Sequence, residues 1–327
     1  MLSPSENADP AVAIWLPRLR EAGLVAEGGE ISLEPLAGGV SSDIVRVRTR
    51  DGHSMIVKAA LPKLRVKDDW FADVSRNRVE RAYFEYAASV APDSVPRILG
   101  GGDDWFAMED LGGDLRDWKA DLIAGNLDPE PARRAGEVLG KLHARSWGDP
   151  VARERFDTVK NFHALRVESY LLTTADRVPE AAERLREEAA RLAASKIALV
   201  HGDYSPKNLL IGPGRLVVLD AECGWFGDPA FDTAFLLTHL HLKALLHPGA
   251  LDLVPIFWRA HSAACGHDIE AGTVRLLLCL LLARVHGKSP AEYLDESRRA
   301  FVTRFVLAHL PKPPSLDELG AAWRNGS

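Results

Sequence analysis

Two short apolar segments inside a long helical stretch constrain the fold of this chain more than any other feature. They are Ala198 to Val200 and Leu216 to Leu219, and each has the length of a short buried strand. Three polar residues, Asp203, Asn208 and Asp220, lie between the segments or directly after them. We therefore expect the chemistry of the chain to be concentrated at the ends of these two strands.

The polar residues of this region suit proton transfer and metal binding. A carboxylate such as Asp203 can accept the proton of an attacking hydroxyl group. Asn208, Asp220 and Glu222 can supply the hard oxygen ligands that bind Mg²⁺ beside phosphate groups. The alternative is that His201-Gly-Asp203 is an ordinary turn with a helix-capping aspartate. The match of several features along the chain favours the chemical interpretation.

The segment from His201 to Asn208 has the spacing HxDxxxxN, and Asp220 follows it at the end of a hairpin. This pattern resembles the aminoglycoside phosphotransferase and choline kinase superfamily, whose version has glycine where protein kinases have arginine. The resemblance spans nearly the whole chain. It implies transfer of the γ-phosphate of ATP to a hydroxyl group, with Asp203 as base and with Asn208, Asp220 and Glu222 as ligands of Mg²⁺.

The resemblance also gives two residues a structural role. The segment from Gly227 to Asp232 matches the family's sequence after the metal site, where the last aspartate braces the catalytic loop through its backbone. Asp232 is therefore expected to be structural. His201 is expected to fix the geometry of the loop rather than to transfer protons.

The pattern of apolar residues divides the chain into two lobes. From Ile31 to Met108 short alternating segments predict strands, and Asp51-Gly52 is a strong hairpin signal. After Gly112-Gly113 the sequence changes to long helical segments rich in alanine, leucine, arginine and glutamate. We therefore expect an α+β, two-lobed protein-kinase-like fold. A small antiparallel-sheet lobe over 1–108 would bind the nucleotide, and a larger, mostly helical lobe over 109–327 would carry the catalytic and substrate residues.

A glycine pair near the start of the first lobe is a candidate phosphate-binding loop. Its residues are Gly38, Gly39, Ser41 and Ser42, where glycines permit close backbone approach and amides and hydroxyls can donate to phosphate oxygens. An ordinary hairpin loop is the alternative. The lysine that follows in an apolar strand, Lys58, favours the nucleotide interpretation.

Lys58 needs an anionic partner, because an unpaired ammonium group is costly to bury. A phosphate and a glutamate on the next helix are the natural partners. By the resemblance the glutamate is Glu80, with Glu85 as the second choice. The family's hinge between the lobes corresponds to the segment MEDL, so main-chain groups near Glu109 and Leu111 are expected to meet the adenine.

The acceptor is expected to be a small molecule. Asp220 is followed within a few residues by Gly227, which leaves no room for the long segment on which protein kinases dock peptides. From Thr233 onward, ten lysines and arginines stand against eight aspartates and glutamates, so the region lacks the acidic excess that a polycationic aminoglycoside favours. We expect a sugar, an amino alcohol or a related metabolite. An aminoglycoside is the alternative acceptor, and a pseudokinase scaffold is a less favoured function.

Two details resemble the 5-methylthioribose kinase branch of the family: Asp220-Ala-Glu222, and the run RVHG that begins at Arg284. That branch typically has two arginines before the glycine, whereas here Ala283 precedes Arg284. It also often has serine where this chain has Asn208. A different sugar or alcohol is therefore at least as well supported as methylthioribose.

Two further residues have two interpretations each. Arg284 either contacts the acceptor or lies on the surface, where it would stabilise the dipole at a helix carboxyl end. Trp225 either lines the acceptor pocket or packs in the core.

The overall composition excludes several other classes of function. A net charge of −6 argues against nucleic-acid binding. The amino terminus lacks a basic and then apolar leader, and the longest apolar run, Leu276 to Ala283, is shorter than the roughly 20 residues of a membrane span. We therefore expect a cytoplasmic protein without a membrane partner. Three cysteines without a CxxC pair predict reduced thiols, and the sequence indicates no oligomeric state.

Overall fold

The structure is a computed structural model, and it describes residues 10–36, 42–61, 73 and 75–326. The amino-terminal strands are β1 (Ile31–Pro35), β2 (Ser42–Thr49), β3 (Ser54–Ala60), β4 (Ile98–Gly101) and β5 (Trp105–Glu109). They form one antiparallel sheet in the order β1-β2-β3-β5-β4. Helices α1 (Pro10–Glu21) and α2 (Arg76–Ala88) belong to the same part of the chain.

The two helices lie on opposite faces of this sheet. Val57 of β3 packs with Trp15 and Leu19 of α1, whereas its neighbour Ile56 belongs to the main core, on the side of α2. Successive side chains of a strand point to opposite faces. Lys58, two residues after Ile56, therefore points toward α2 and the rest of the molecule.

The remainder of the chain is mostly helical. Its α-helices are α3 (Trp118–Ala124), α4 (Pro129–Ser146), α5 (Pro150–Arg155), α6 (Val159–Phe162), α7 (Thr173–Arg177), α8 (Ala182–Ala194), α9 (Ala230–Ala244), α10 (Leu253–Cys265), α11 (Glu270–His286), α12 (Glu296–His309) and α13 (Leu316–Gly326). A π-helix, His163–Leu172, continues α6. Short 3₁₀ helices are Pro92–Ser94, Pro179–Ala181, Pro206–Asn208 and Pro248–Asp252.

Short strands carry the polar segment through this helical part. They are β6 (Arg116–Asp117), β7 (Ala198–Val200), β8 (Leu209–Gly212), β9 (Arg215–Val218) and β10 (Trp225–Gly227). Strand β7 pairs with β10, and β8 forms a hairpin with β9 that is extended by β6. Helix α9, which follows β10, is buried along almost its whole length and packs mainly against α11 and the 3₁₀ helix Pro248–Asp252.

The expected α+β architecture, with a small antiparallel sheet and a larger helical part, is confirmed. The two strands predicted in the helical part, Ala198 to Val200 and Leu216 to Leu219, correspond to β7 and β9 within one residue at each end. Helix α1 has no counterpart among the elements predicted from the sequence. The boundary between 108 and 109 stays a prediction. Among the described residues, no helix combines the length and the apolar character needed to cross a membrane.

Candidate active site

The loop that follows β7 is held by Asp232, in the first turn of α9. Asp232 Oδ2 accepts a hydrogen bond from the main-chain N–H of His201 at 2.6 Å, and Oδ1 accepts one from the N–H of Gly202 at 2.9 Å. Asp232 has none of its surface exposed. Because a buried carboxylate is costly unless it is hydrogen-bonded, this pair of bonds fixes the loop relative to α9.

The loop turns sharply at Gly202, whose φ is +78°. A Cβ at this position would lie 2.6 Å from the carbonyl oxygen of Cys223, so only glycine fits without a shift of backbone. The preceding His201 accepts a hydrogen bond from the N–H of Asp203 at Nδ1, 3.1 Å, and donates from Nε2 to the carbonyl of Leu219, 3.0 Å. Burial lowers the pKa of His201, which is therefore a neutral link between the loop and the end of β9.

Asp203 lies at the centre of the polar segment between two cations. Its Oδ2 is 3.0 Å from Arg166 Nη2 and 3.0 Å from Lys207 Nζ. Burial works to raise the pKa of Asp203, but Lys207 and Arg166 outweigh it and the pKa is lowered. The side chain is therefore a carboxylate at neutral pH, the form in which it can accept a proton.

Asn208 is joined to the same loop and to β9. Its Nδ2 donates to the carbonyl of Asp203 at 2.9 Å, and its own carbonyl accepts the N–H of Leu219 at 2.9 Å. Since Nδ2 is used in this way, the side-chain oxygen is the group of Asn208 that can act as a ligand. Asp220 follows Leu219 with a φ of +63°, an uncommon conformation for a residue other than glycine. The oxygens of Asn208 and Asp220 are thus placed at adjacent ends of the hairpin.

Lys58 connects Asp220 to α2. Its Nζ lies 2.7 Å from Asp220 Oδ1 and 2.7 Å from Glu80 Oε2, so Glu80 rather than Glu85 is the helix partner in this structure. Burial opposes the charge of Lys58, but Asp220 and Glu80 outweigh it and raise its pKa. Burial raises the pKa of Glu80 to about 7 in spite of Lys58. Burial likewise works to raise the pKa of Asp220, but Lys58 and Lys207 lower it well below its usual range.

Glu222 has a partner that the sequence did not indicate. Its Oε2 lies 2.9 Å from Nε of Arg76, a fully buried arginine at the start of α2. Burial and the neighbouring Asp220 raise the pKa of Glu222. Glu222 is thus an ion-pair partner of α2 as well as a neighbour of Asp220.

The candidate phosphate-binding loop is described only at its end. Gly38, Gly39 and Ser41 lie outside the described residues. Ser42 is buried and opens β2, where it pairs with Ala60.

The expected hinge segment begins in the last two residues of β5 and continues beyond it. The carboxylate of Glu109 lies 3.5 Å from Arg215 Nη2 and accepts the N–H of Arg97 at 3.2 Å. The side chain of Glu109 is thus tied to other elements, and Leu111 is half-buried beside it. This arrangement is compatible with a role for main-chain groups of the segment.

Arg284 and Asp203 line one cavity of about 180 Å³ in the helical part. Its other lining residues are Lys119, Tyr170, Lys207, Phe235, His239, Ser289, Pro290, Glu292 and Tyr293. Arg284 is therefore within reach of a molecule whose reacting group lies at Asp203. The cavity thus joins the candidate base to further polar side chains of the helical part.

Trp225 is not among the residues that line this cavity. Its side chain is fully buried and stacks on Phe162, with the ring centroids 4.2 Å apart and the ring planes 14° apart. Of the two interpretations of Trp225, core packing is the one that agrees with these contacts.

Three residues around the carboxylates were missed by sequence reasoning. Arg166 donates to the carbonyl of Gly202 at 2.5 Å as well as to Asp203, and it belongs to the π-helix, a geometry that is frequent at functional sites. Lys207 stands inside the motif itself, and Arg76 opens α2. An arginine directly between two apolar residues, as in Leu165-Arg166-Val167, was the signal that could have indicated Arg166.

Comparisons with known proteins agree with this geometry. Residues 32–250 match the model of the phosphotransferase enzyme family, called APH. A methylthioribose kinase of Yersinia pseudotuberculosis is 25% identical over 260 residues, which are 70% of this chain and 64% of that protein. The chain thus spans less than two thirds of the length of that relative.

Solved structures share the fold at low sequence identity. A macrolide 2′-phosphotransferase from Brachybacterium faecium is 19% identical, with 97% of this chain and 98% of that chain covered and a TM-score of 0.51. An amicoumacin kinase solved with AMP-PNP and Ca²⁺ is 14% identical, with 86% and 89% covered and a TM-score of 0.52. Since the family model matches about two thirds of the sequence, this chain belongs to the phosphotransferase enzyme family.

Proposed function

We propose that this chain is a small-molecule kinase that transfers the γ-phosphate of ATP to a hydroxyl group of a sugar, an amino alcohol or a related metabolite. The observation that carries the proposal is the position of an ionised Asp203 beside Asn208 and Asp220, with Lys58 held between Asp220 and Glu80. Family membership supports the same chemistry.

Asp203 would act as the base. As the acceptor oxygen forms its bond to the γ-phosphorus, the bond between that phosphorus and the β–γ bridging oxygen breaks and ADP leaves. The hydroxyl proton passes to the Asp203 carboxylate. Lys207 and Arg166, which hold Asp203 Oδ2, would keep the base ionised and oriented.

The side chains of Asp220 and Asn208, with Glu222 as a third candidate, would hold a divalent cation. Their oxygens are the hard donors that Mg²⁺ prefers, and the lowered pKa of Asp220 keeps it charged. A bound Mg²⁺ would neutralise the charge of the phosphate oxygens. Lys58 would contact the same phosphates, and main-chain groups near Glu109 and Leu111 would meet the adenine.

Two acceptor classes can be compared: a sugar of the kind named by the methylthioribose kinases, and the aminoglycoside considered as an alternative from the sequence. The similarity to methylthioribose kinases supports a thiosugar as the acceptor, whereas an aminoglycoside would require a site for a polycation. Two lysines and an arginine line the cavity beside Asp203, so the aminoglycoside is the less favoured of the two.

Release of ADP in the presence of a panel of sugars, amino alcohols and aminoglycosides tests the proposal. An acceptor should stimulate release, and Asp203→Asn should lower kcat by about 100-fold or more, because a positioned base contributes 10² to 10⁴. ATP affinity should stay unchanged in this variant. The exposed Asp268, which caps the start of α11, offers Asp268→Asn as a control.

Calorimetry with ATP and Mg²⁺ tests the metal assignment separately. Asp220→Ala should weaken Mg²⁺-dependent ATP binding, because it removes a hard oxygen ligand. Equal affinity in the variant would contradict the role of Asp220. ATP binding without any acceptor-stimulated turnover, unchanged by Asp203→Asn, would instead identify a nucleotide-binding scaffold.

A further inference from the structure

The cavity beside Asp203 has an excess of positive charge. Its basic lining residues are Lys119, Lys207 and Arg284, and its acidic ones are Asp203 and the exposed Glu292. Lys207 is already paired with Asp203. In the part of the chain that the structure describes, neither Lys119 nor Arg284 forms an ion pair with a carboxylate.

Two buried polar groups of the residues that line this cavity also lack hydrogen-bond partners within the described chain. Arg284 donates through Nη1 to the carbonyl and the hydroxyl of Ser289, but its buried Nε has no partner among the described residues. The hydroxyl of Tyr293 is likewise buried without a partner there. Because an unsatisfied buried donor carries its full desolvation cost, such groups indicate a site that a ligand completes.

Among the described residues, a third cation without a carboxylate partner lies on the same helix face as two cavity residues. Phe235, His239 and Lys243 follow one another at intervals of four along α9, so they share one face. Lys243 has none of its surface exposed, and its Nζ, without a hydrogen-bond partner in the described chain, stands 3.5 Å from the ring centroid of Tyr293. Burial, and to a smaller extent Lys119 and Arg284, lower the pKa of Lys243.

We propose that the acceptor carries an anionic group, a carboxylate or a phosphate, which Lys119 and Arg284 bind while its hydroxyl faces Asp203. The inference rests on the proposed function and specifies its substrate class. An arginine fork matches the paired oxygens of a carboxylate or phosphate, and Lys243 adds positive charge from within the core. A cavity of about 180 Å³ fits a small hydroxy acid or sugar phosphate.

Two measurements test the inference. The first is calorimetric titration with inorganic phosphate while AMP-PNP fills the nucleotide site, for the wild type, Lys119→Met and Arg284→Gln. Each variant should weaken phosphate binding about tenfold or more, because each removes a charge-assisted hydrogen bond to the anion. The exposed Lys141 of α4 lies outside the cavity, and Lys141→Met is the control.

The second measurement compares kcat/KM for two pairs of acceptors, each with a neutral and an anionic member: glycerol with glycerate, and ribose with ribose 5-phosphate. Ethanolamine is added as a cationic acceptor. The anionic member should be preferred by about tenfold or more, and Arg284→Gln should remove the preference. The pair that shows it distinguishes a carboxylate from a phosphate.

Equal or better turnover of neutral or cationic acceptors, or unchanged phosphate binding in Arg284→Gln, overturns the inference and leaves the kinase proposal intact. Absence of turnover with every acceptor class counts against the kinase proposal alone. In that event the phosphate titration still decides whether the cavity binds anions. Unfolding curves show whether Lys119→Met and Arg284→Gln are folded. If one of them is not, the phosphate titration of the other tests the inference.

Discussion

Lys58 Nζ lies 2.7 Å from Asp220 Oδ1, which joins the central strand of the amino-terminal sheet to the end of the β8–β9 hairpin. The same ammonium group contacts Glu80 of α2 at 2.7 Å. Strand, helix and hairpin therefore meet at one buried cation. Loss of this cation would leave two carboxylates without their partner, so Lys58 stabilises the contact between the sheet, α2 and the hairpin.

Lys58→Met should destabilise the protein and abolish tight ATP binding. Removing one partner of a buried ion pair costs about 3–5 kcal/mol, because the remaining charge is uncompensated. Arg81→Met is the matched control, since Arg81 forms an i,i+4 pair with Glu85 on the exposed side of α2. That pair should contribute about 0.3–0.5 kcal/mol. Urea unfolding and ATP titration would measure both effects, and equal stability of the two variants would contradict a structural role of Lys58.

Lys207→Met should move the acid limb of the pH profile of kcat/KM to higher pH. Lys207 and Arg166 lower the pKa of Asp203 against the effect of burial, so removal of Lys207 lets that pKa rise. In the wild type, Asp203 should stay ionised near neutral pH, so kcat/KM should not fall there. As pH is lowered, the variant should lose activity at a higher pH than the wild type. If the acid limb lies at the same pH in both proteins, it reports the protonation of a group other than Asp203.

The same charge relationship has a consequence for stability. The pKa of Asp203 is lower in the folded state than its ordinary value, so its contribution is present above the unfolded pKa and is lost as pH falls through the folded pKa. Lys207→Met should therefore reduce the free energy of unfolding at neutral pH by more than it does in acid. Denaturant unfolding at several pH values would measure the difference.

Gly202→Ala should destabilise the protein more than Gly214→Ala. Both glycines have positive φ, +78° and +71°, so each alanine carries a strain of roughly 1–2 kcal/mol. A Cβ at Gly202 would also lie 2.6 Å from the carbonyl oxygen of Cys223, whereas one at Gly214 would meet nothing within 4 Å. Thermal unfolding and kcat are compared for the two variants. Gly214→Ala shows the effect of backbone strain alone, and the additional loss in Gly202→Ala is the effect of the clash. Equal losses in both variants would mean that the loop can shift without cost.

The residues of one loop could be predicted because their spacing alone brings them together. His201, Asp203 and Asn208 lie within eight positions, so a single turn and a short 3₁₀ helix place them side by side. Lys58 could be predicted to need an anion, since its strand is apolar on both sides. The choice of Glu80 over Glu85 came only from the resemblance, because helix phase relative to the sheet is a tertiary property.

The remaining neighbours depend on contacts between distant segments. Arg166 reaches Asp203 only because a π-helix turns it toward the loop, and helical periodicity at 3.6 residues does not predict that turn. Arg76 reaches Glu222 across the two parts of the chain. Trp225 had two interpretations because an apolar ring after a metal loop suits either a pocket or a core, and only packing against Phe162 distinguishes them.

Lys243→Met should stabilise the protein near neutral pH and weaken phosphate binding at the cavity. Burial, then Lys119 and Arg284, lower the pKa of Lys243 to about 7, and Asp117 opposes them only in part. His239, on the same helix face, is kept neutral by burial and by the same cations, so it adds no positive charge of its own. Because the unfolded lysine binds a proton up to a higher pH than the folded one, the stability of the wild type should rise between about pH 7 and its ordinary pKa of 10.5. Methionine removes this dependence on pH, so the gain in the free energy of unfolding over the wild type should be largest at pH 6–7 and should shrink toward pH 10.

Urea unfolding of Lys243→Met across this pH range, beside phosphate titration of the same variant, measures both effects. A variant that is less stable than the wild type at pH 6 would show that the contact of Nζ with the ring of Tyr293 outweighs the cost of burying the charge.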